Sequence, residues 1–121
     1  MLRKTRLFTP GPTPLLPAAQ AAMAREYHHR TADFRALYTR VLEDLQMFIG
    51  TRNDVVLLAS SGTGAMEAAV SNLTSPGEKV LVLTAGKFGE RWRDLAKAFG
   101  CQVELVSAPY GQTFDLAEVK A

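Results

Sequence analysis

The stretch Val55–Asn72, VVLLASSGTGAMEAAVSN, constrains the fold of this chain more than any other. It opens with a run of apolar residues, Val55-Val56-Leu57-Leu58. An unbroken run of this kind is the pattern of a strand buried on both faces. The chain then turns through Ser60-Ser61-Gly62-Thr63-Gly64 and continues as Ala65-Met66-Glu67-Ala68-Ala69-Val70, a run of good helix formers. The pattern predicts a strand over Val55–Ala59, a turn over Ser60–Gly64 and a helix over Ala65–Leu73. A small-residue turn from strand to helix aims the free N–H groups of the helix start at one point. The helix dipole adds partial positive charge there. Glycines allow close approach of backbone to a ligand, and Ser and Thr add hydroxyl donors. Such a turn serves as an anion site or simply as a tight connection, and the stretch alone leaves both open.

Before this stretch, Thr9–Pro17 is a proline-rich arm, extended or turning, followed by a short Ala-rich helix over Pro17–Glu26. Tyr27-His28-His29-Arg30 reads as a polar loop. Adjacent histidines point apart in most backbones, and no third soft ligand is near, so no metal site is expected. Thr31–Ile49 is the clearest helix: Thr31 suits its N-cap and Gly50 its end. Phe34, Leu37, Tyr38, Val41, Leu42, Leu45, Phe48 and Ile49 recur at helical spacing as a stripe for core or interface packing.

After it, Lys79–Thr84 and Gln102–Ser107 read as buried strands, with a helix over Glu90–Phe99 between them. The order makes βαβ units, hence parallel strands with right-handed crossovers. Ala85–Gly89 is the loop after the second strand of this series, on the side where open α/β sheets bind ligands. Phe88 in that loop can stack on a planar ligand or pack under the next helix. Asp115 and Glu118 have the spacing of a helix start.

Composition sets the remaining limits. With 121 residues the chain is the size of one domain. Its net charge of +2 and lack of an aromatic platform give no reason to expect nucleic acid, and no apolar run approaches a membrane span. The basic start MLRKTRLF is broken by Thr9-Pro10-Gly11-Pro12, unlike a secretory signal. The lone Cys101 fits a small buried hydrophobe in a reducing cytoplasm. The pattern divides the chain into an arm and short helix, 1–30, and an incomplete α/β domain, 31–121 (βαβαβ), that stops at the start of a helix. No sheet edge in that domain is capped.

Which anion the turn takes is narrowed by exclusion. Gly62-Thr63-Gly64-Ala65-Met66-Glu67 has no Gly-Lys-Ser/Thr, so it is not a P-loop. It departs from the dinucleotide fingerprint, because Glu67 replaces the third glycine and the next strand ends in Leu83-Thr84 without an acid. The chain instead resembles the class V aminotransferases of pyridoxal-phosphate (PLP) fold type I, within them the alanine–glyoxylate/serine–pyruvate group. The label soluble hydrogenase small subunit also occurs in that group. The resemblance is carried by Phe8-Thr9-Pro10-Gly11-Pro12-Thr13-Pro14, by His29-Arg30-Thr31 with Phe34, and by Ser60 through Ala69. It continues in Ser75-Pro76-Gly77 with Lys79-Val80-Leu81-Val82 and in Gly86-Lys87-Phe88-Gly89-Glu90-Arg91.

The resemblance implies the N-terminal part of a fold type I large domain, a mostly parallel sheet with flanking helices. It implies PLP as cofactor, with Ser61, Gly62, Thr63, Gly64 and Ala65 as its phosphate cup and Phe88 stacked on its ring. Gly11 matches a segment near the substrate carboxylate, and His29 with Arg30 a loop at the site entrance. The implied reaction moves an amino group from alanine or serine to glyoxylate or pyruvate, in a cytoplasmic homodimer. The family's Schiff-base lysine, its pyridinium-pairing Asp and its carboxylate-clamping Arg match no position here. None of Lys4, Lys79, Lys87, Lys97 and Lys120 occupies the catalytic position, so this chain alone is expected to be inactive. The competing reading is a non-catalytic α/β module that binds a phosphorylated small molecule or a partner chain.

Overall fold

A computed structural model describes residues 7–120. Most of the basic MLRKTRLF segment, with Lys4, lies outside them. The fold divides into two compact units, Met1–Val56 and Leu57–Ala121.

In the first unit, α1 spans Pro17–Met23 and α2 spans Ala32–Ile49. Proline opens α1, where its missing N–H is no loss. Thr31 caps α2: its Oγ1 accepts from the Phe34 N–H at 3.3 Å and donates to the His28 carbonyl at 2.9 Å. Asp33 in the first turn suits the positive end of the helix dipole. Gly50 ends the helix in the left-handed region, φ 74°, and its N–H donates to the Gln46 carbonyl at 2.9 Å. The apolar stripe is only partly covered within the described residues. Phe34, Leu42 and Leu45 are half-buried, while Leu37, Tyr38, Val41, Phe48 and Ile49 are exposed.

The second unit is a βαβ unit with one helix added before it and one after it. α3 spans Gly62–Leu73, β1 Lys79–Thr84, α4 Lys87–Ala98, β2 Gln102–Ser107 and α5 Leu116–Lys120. β1 and β2 pair in parallel, Lys79 opposite Gln102 through Thr84 opposite Ser107, as the βαβ pattern requires. α4 packs on both strands and on α3. Val80, Val82 and Thr84 alternate inward along β1, while Leu81 and Leu83 lie exposed on the other face. The core gathers Val70, Val82, Ala96 and Cys101, and burying the Val82 side chain contributes about 1.5–3 kcal/mol. Buried Thr84 is satisfied, because its hydroxyl donates to the Gly86 carbonyl at 3.1 Å. At the far end, the Ala117 N–H donates to Asp115 Oδ1 at 2.8 Å and starts α5.

Three expectations change. Val55–Ala59 is not a strand: no ladder partner lies among the described residues, and Val56, Leu57 and Leu58 are 75%, 44% and 47% exposed. An apolar run predicts burial, but a strand also needs a neighbour to bond. The expected βαβαβ series therefore appears with two paired strands, β1 and β2. Second, α3 and α4 begin at Gly62 and Lys87, each three residues before the expected start. Packing overrides the poor helix propensity of glycine at both heads. Third, the His28 and His29 rings do not diverge. They stack, with centroids 4.7 Å apart.

Gly89 explains why α4 can start so early. A Cβ there would lie 2.6 Å from both Cα and Oγ1 of Thr84, closer than atoms can pack. The first turn of α4 thus rests directly on the end of β1. A side-chain network then ties α4 to the loop after β2. Lys87 Nζ donates to Glu90 Oε2 at 2.8 Å, and the Tyr110 hydroxyl donates to Glu90 Oε1. The hydrogen bond from Lys87, then that from Tyr110, holds the Glu90 carboxyl below its usual value of 4.5. The same bonds raise Lys87 above 10.5 and Tyr110 above 10.0.

Gly89→Ala tests the close approach. Alanine gains about 1 kcal/mol of helix propensity, but a clash with backbone costs about 1–3 kcal/mol. The expected result is a lower urea midpoint, while Gly86→Ser, with open space around it, leaves the midpoint nearly unchanged. A midpoint that rises in Gly89→Ala contradicts the packing. The Glu90 network predicts a stability plateau. The lowered Glu90 contributes above the usual carboxylate range and stops contributing as pH falls through its depressed value. The raised Tyr110 and Lys87 contribute below their usual values and stop as pH rises through the raised ones. Tyr110→Phe should weaken the acid-side fall and remove the tyrosine part of the alkaline fall in urea midpoints measured against pH. Superimposable profiles would refute the network.

Candidate anion site at the heads of α3 and α4

The heads of α3 and α4 meet through one side chain. Arg91 Nη1 donates to Thr63 Oγ1 at 2.8 Å, and the same guanidinium carbon lies 5.5 Å from the centroid of the Phe88 ring. Phe88 and Arg91 are three residues apart in α4, so they share a face. The two features expected at a cofactor site, an anion turn and a flat ring, thus fall within reach of one arginine.

The donors at the head of α3 are uncommitted. No backbone carbonyl among the described residues accepts from the N–H of Gly62 or Thr63. The Gly64 N–H bends back to the Ser61 carbonyl at 2.9 Å. Ser61 is the N-cap residue, yet its hydroxyl makes no capping bond. Gly64 is required by space: a Cβ there would collide with the Ser60 side chain, whose hydroxyl donates to the Ser61 carbonyl at 2.9 Å. Ala65 lies in the same first turn and is exposed. Phe88 is 66% exposed, so its ring is not packed under α4. The local charge is positive, from the helix dipole and from Arg91. Backbone N–H groups, hydroxyls and a guanidinium are the donor set of a phosphate site, and the exposed ring suits a flat group attached to it.

Gly11 and His29 belong to the first unit. Gly11 is exposed in the proline-rich arm, with no atom within 4 Å of where its Cβ would be. His29 Nε2 accepts from Arg30 Nε at 3.2 Å, and the Arg30 N–H donates to His28 Nδ1 at 3.2 Å. The loop before α2 is therefore internally bonded. Among the described residues no cluster of His, Cys, Asp or Glu is placed to hold a metal. Sequence reasoning passed over Arg91. The signal was its spacing from Phe88, which becomes meaningful only once α4 starts at Lys87.

Comparison with known proteins places the chain in a family. The family model for aminotransferase class-V matches residues 14–121. The soluble hydrogenase 42 kDa subunit of Anabaena cylindrica is 44% identical over 113 residues, covering 93% of this chain and 30% of that protein. An aspartate aminotransferase of subgroup IV from Thermus thermophilus superposes with a TM-score of 0.91 at 42% identity, over 97% of this chain and 34% of that one. An alanine–glyoxylate aminotransferase from Nostoc sp. superposes with a TM-score of 0.83 at 32% identity, over 98% of this chain and 34% of that one. The chain spans about a third of the length of these relatives. With a match over residues 14–121, which includes the Ser60–Gly64 turn, β1, Phe88 and β2, the chain belongs to the class V aminotransferase family.

Proposed function

We propose that this chain supplies the phosphate cup and ring-stacking wall of a PLP-dependent aminotransferase, within a cofactor domain that residues 31–121 form in part. The observation that carries the reading is the junction of Thr63, Arg91 and Phe88 at the head of α3. When bound, PLP supplies the electron sink that lets an amino group pass from an amino acid to a 2-oxo acid. The N–H groups of Gly62, Thr63 and Ala65 and the Ser61 hydroxyl hold its phosphate, and Gly64, without a side chain, lets the turn approach it closely. Phe88 holds its ring. The parent reaction takes alanine or serine as amino donor and glyoxylate or pyruvate as acceptor. Gly11 and His29 take part at the substrate side.

The charged neighbours support a binding role for this chain, not a catalytic one. Lys79 pairs with Glu104 at 3.2 Å and Lys87 with Glu90 at 2.8 Å, so both amines are committed to carboxylates. The complete protein works as a homodimer, and the exposed apolar residues of α2 are surface of the kind such assembly covers. Its compartment is the cytoplasm, where the buried thiol of Cys101 stays reduced. Among the described residues no helix is long and apolar enough to cross a membrane.

Titrating PLP into the chain and following Trp92 fluorescence tests the reading. Saturable binding that inorganic phosphate competes away is expected. Phe88→Ala should weaken it about tenfold, the scale of one lost aromatic stacking contact. Alanine and glyoxylate added with PLP should yield no pyruvate above the rate of PLP alone. Binding indifferent to phosphate sinks the cup, and fast pyruvate formation sinks the claim that catalysis needs residues beyond these.

A further inference from the structure

We infer that Arg91 is a positioning residue for the phosphate: it fixes Thr63 so that the hydroxyl proton is left free to donate to the anion. The inference rests on the PLP reading above and gives a role to a side chain outside the cup. Guanidinium has donors only, so at 2.8 Å it forces Thr63 Oγ1 to act as acceptor. A threonine hydroxyl has one proton, and among the described residues that of Thr63 donates to no protein acceptor. The proton is therefore available at the head of α3, beside the free N–H groups of Gly62 and Thr63. A cation on the oxygen also polarises the O–H bond and strengthens it as a donor.

The charge pattern points to an anionic ligand independently. A cation at a helix N-terminus faces the positive end of the dipole, the reverse of the usual preference. Of the other cations of α4, Lys87 pairs with Glu90 and Arg93 with Asp94 at 2.7 Å, while Lys97 lies in the last turn, at the negative end of the helix dipole. Among the described residues no carboxylate pairs with Arg91. It is half-buried, lying over the Phe88 ring, where cation–π attraction holds it in place. An unneutralised, half-buried cation beside an unneutralised helix start is favourable once a phosphate dianion lies between them.

Binding of pyridoxine 5′-phosphate and of pyridoxine by the 121-residue chain tests the role. Neither probe has an aldehyde, so surface lysines do not react with them. The wild-type chain should prefer the phosphorylated probe. Arg91→Met should lower that preference roughly tenfold, the scale of a charge-assisted hydrogen bond. Arg91→Lys, which keeps a charged donor, should retain most of it. In a Thr63→Val background the added Arg91→Met change should have little further effect. Thermal unfolding by circular dichroism confirms that each variant is folded. Without any ligand, three-bond couplings of Thr63 should report one χ1 rotamer in the wild type and averaging in Arg91→Met. An unchanged preference in Arg91→Met, or an equal loss for both probes, overturns the inference while leaving the cofactor reading in place. A wild-type chain that binds both probes equally overturns the cofactor reading itself. Rotamer averaging of Thr63 already present in the wild type overturns the positioning role alone.

Discussion

The contact between Gly89 and Thr84 sets the geometry on which the second unit depends. With no side chain at position 89, the first turn of α4 lies against the end of β1, where an added Cβ would be 2.6 Å from Thr84 Cα. That depth fixes where Phe88 and Arg91 emerge, because both flank Gly89 on the same turn and the next. It also decides that Arg91 reaches Thr63, since a hydrogen bond at 2.8 Å tolerates only a few tenths of an ångström of helix displacement. Packing at one glycine therefore reaches the polar chemistry at the head of α3.

Electrostatics on α4 is sorted by position. Four of the outer charges are closed in pairs, Lys87 with Glu90, which also accepts from Tyr110, and Arg93 with Asp94, while Lys97 sits at the negative end of the helix dipole. These pairs are exposed, and pairs of that kind contribute little to stability. Their effect is local order: Tyr110 anchors the loop after β2 to the first turn of α4. Arg91, on the face toward α3, is the α4 cation bonded to the Thr63 hydroxyl.

What could be read from the sequence follows the range of the interactions. The bounds of β1 and β2 were legible to the residue and the βαβ order reported their parallel pairing, but the expected burial on both faces was not met, since Leu81, Leu83 and Leu105 are exposed. Thr31 and Gly50 were legible as helix ends, since capping is a matter of neighbours. The heads of α3 and α4 were not. Gly64 and Gly89 look like loop by local preference, yet each sits in the first turn of a helix, close against Ser60 and Thr84 respectively. Val55–Leu58 shows the converse: the pattern reports an intention to be buried, whereas a ladder depends on a distant partner. The bond from Arg91 to Thr63 joins residues 28 apart, and no local pattern contains it. The Ser60–Gly64 turn was visible in the sequence, but the arginine bonded to it was not.

The distinction between an anion site and a tight connection turns on where donors are spent. A connection that is only structural uses its N-cap hydroxyl to satisfy the helix start, as Thr31 does for α2 with the Phe34 N–H. Ser61 heads α3 and makes no such bond. Thr63 in the same turn accepts from an arginine instead of serving its own backbone. The two helix starts lie in one chain and carry comparable residues, yet one is closed on itself and the other is left open toward positive charge. Water can satisfy an open start at a small loss of about 1 kcal/mol per missing cap. A cation set beside that start adds repulsion that water only screens. Local stability favours neither feature, and a bound phosphate gives both a favourable partner.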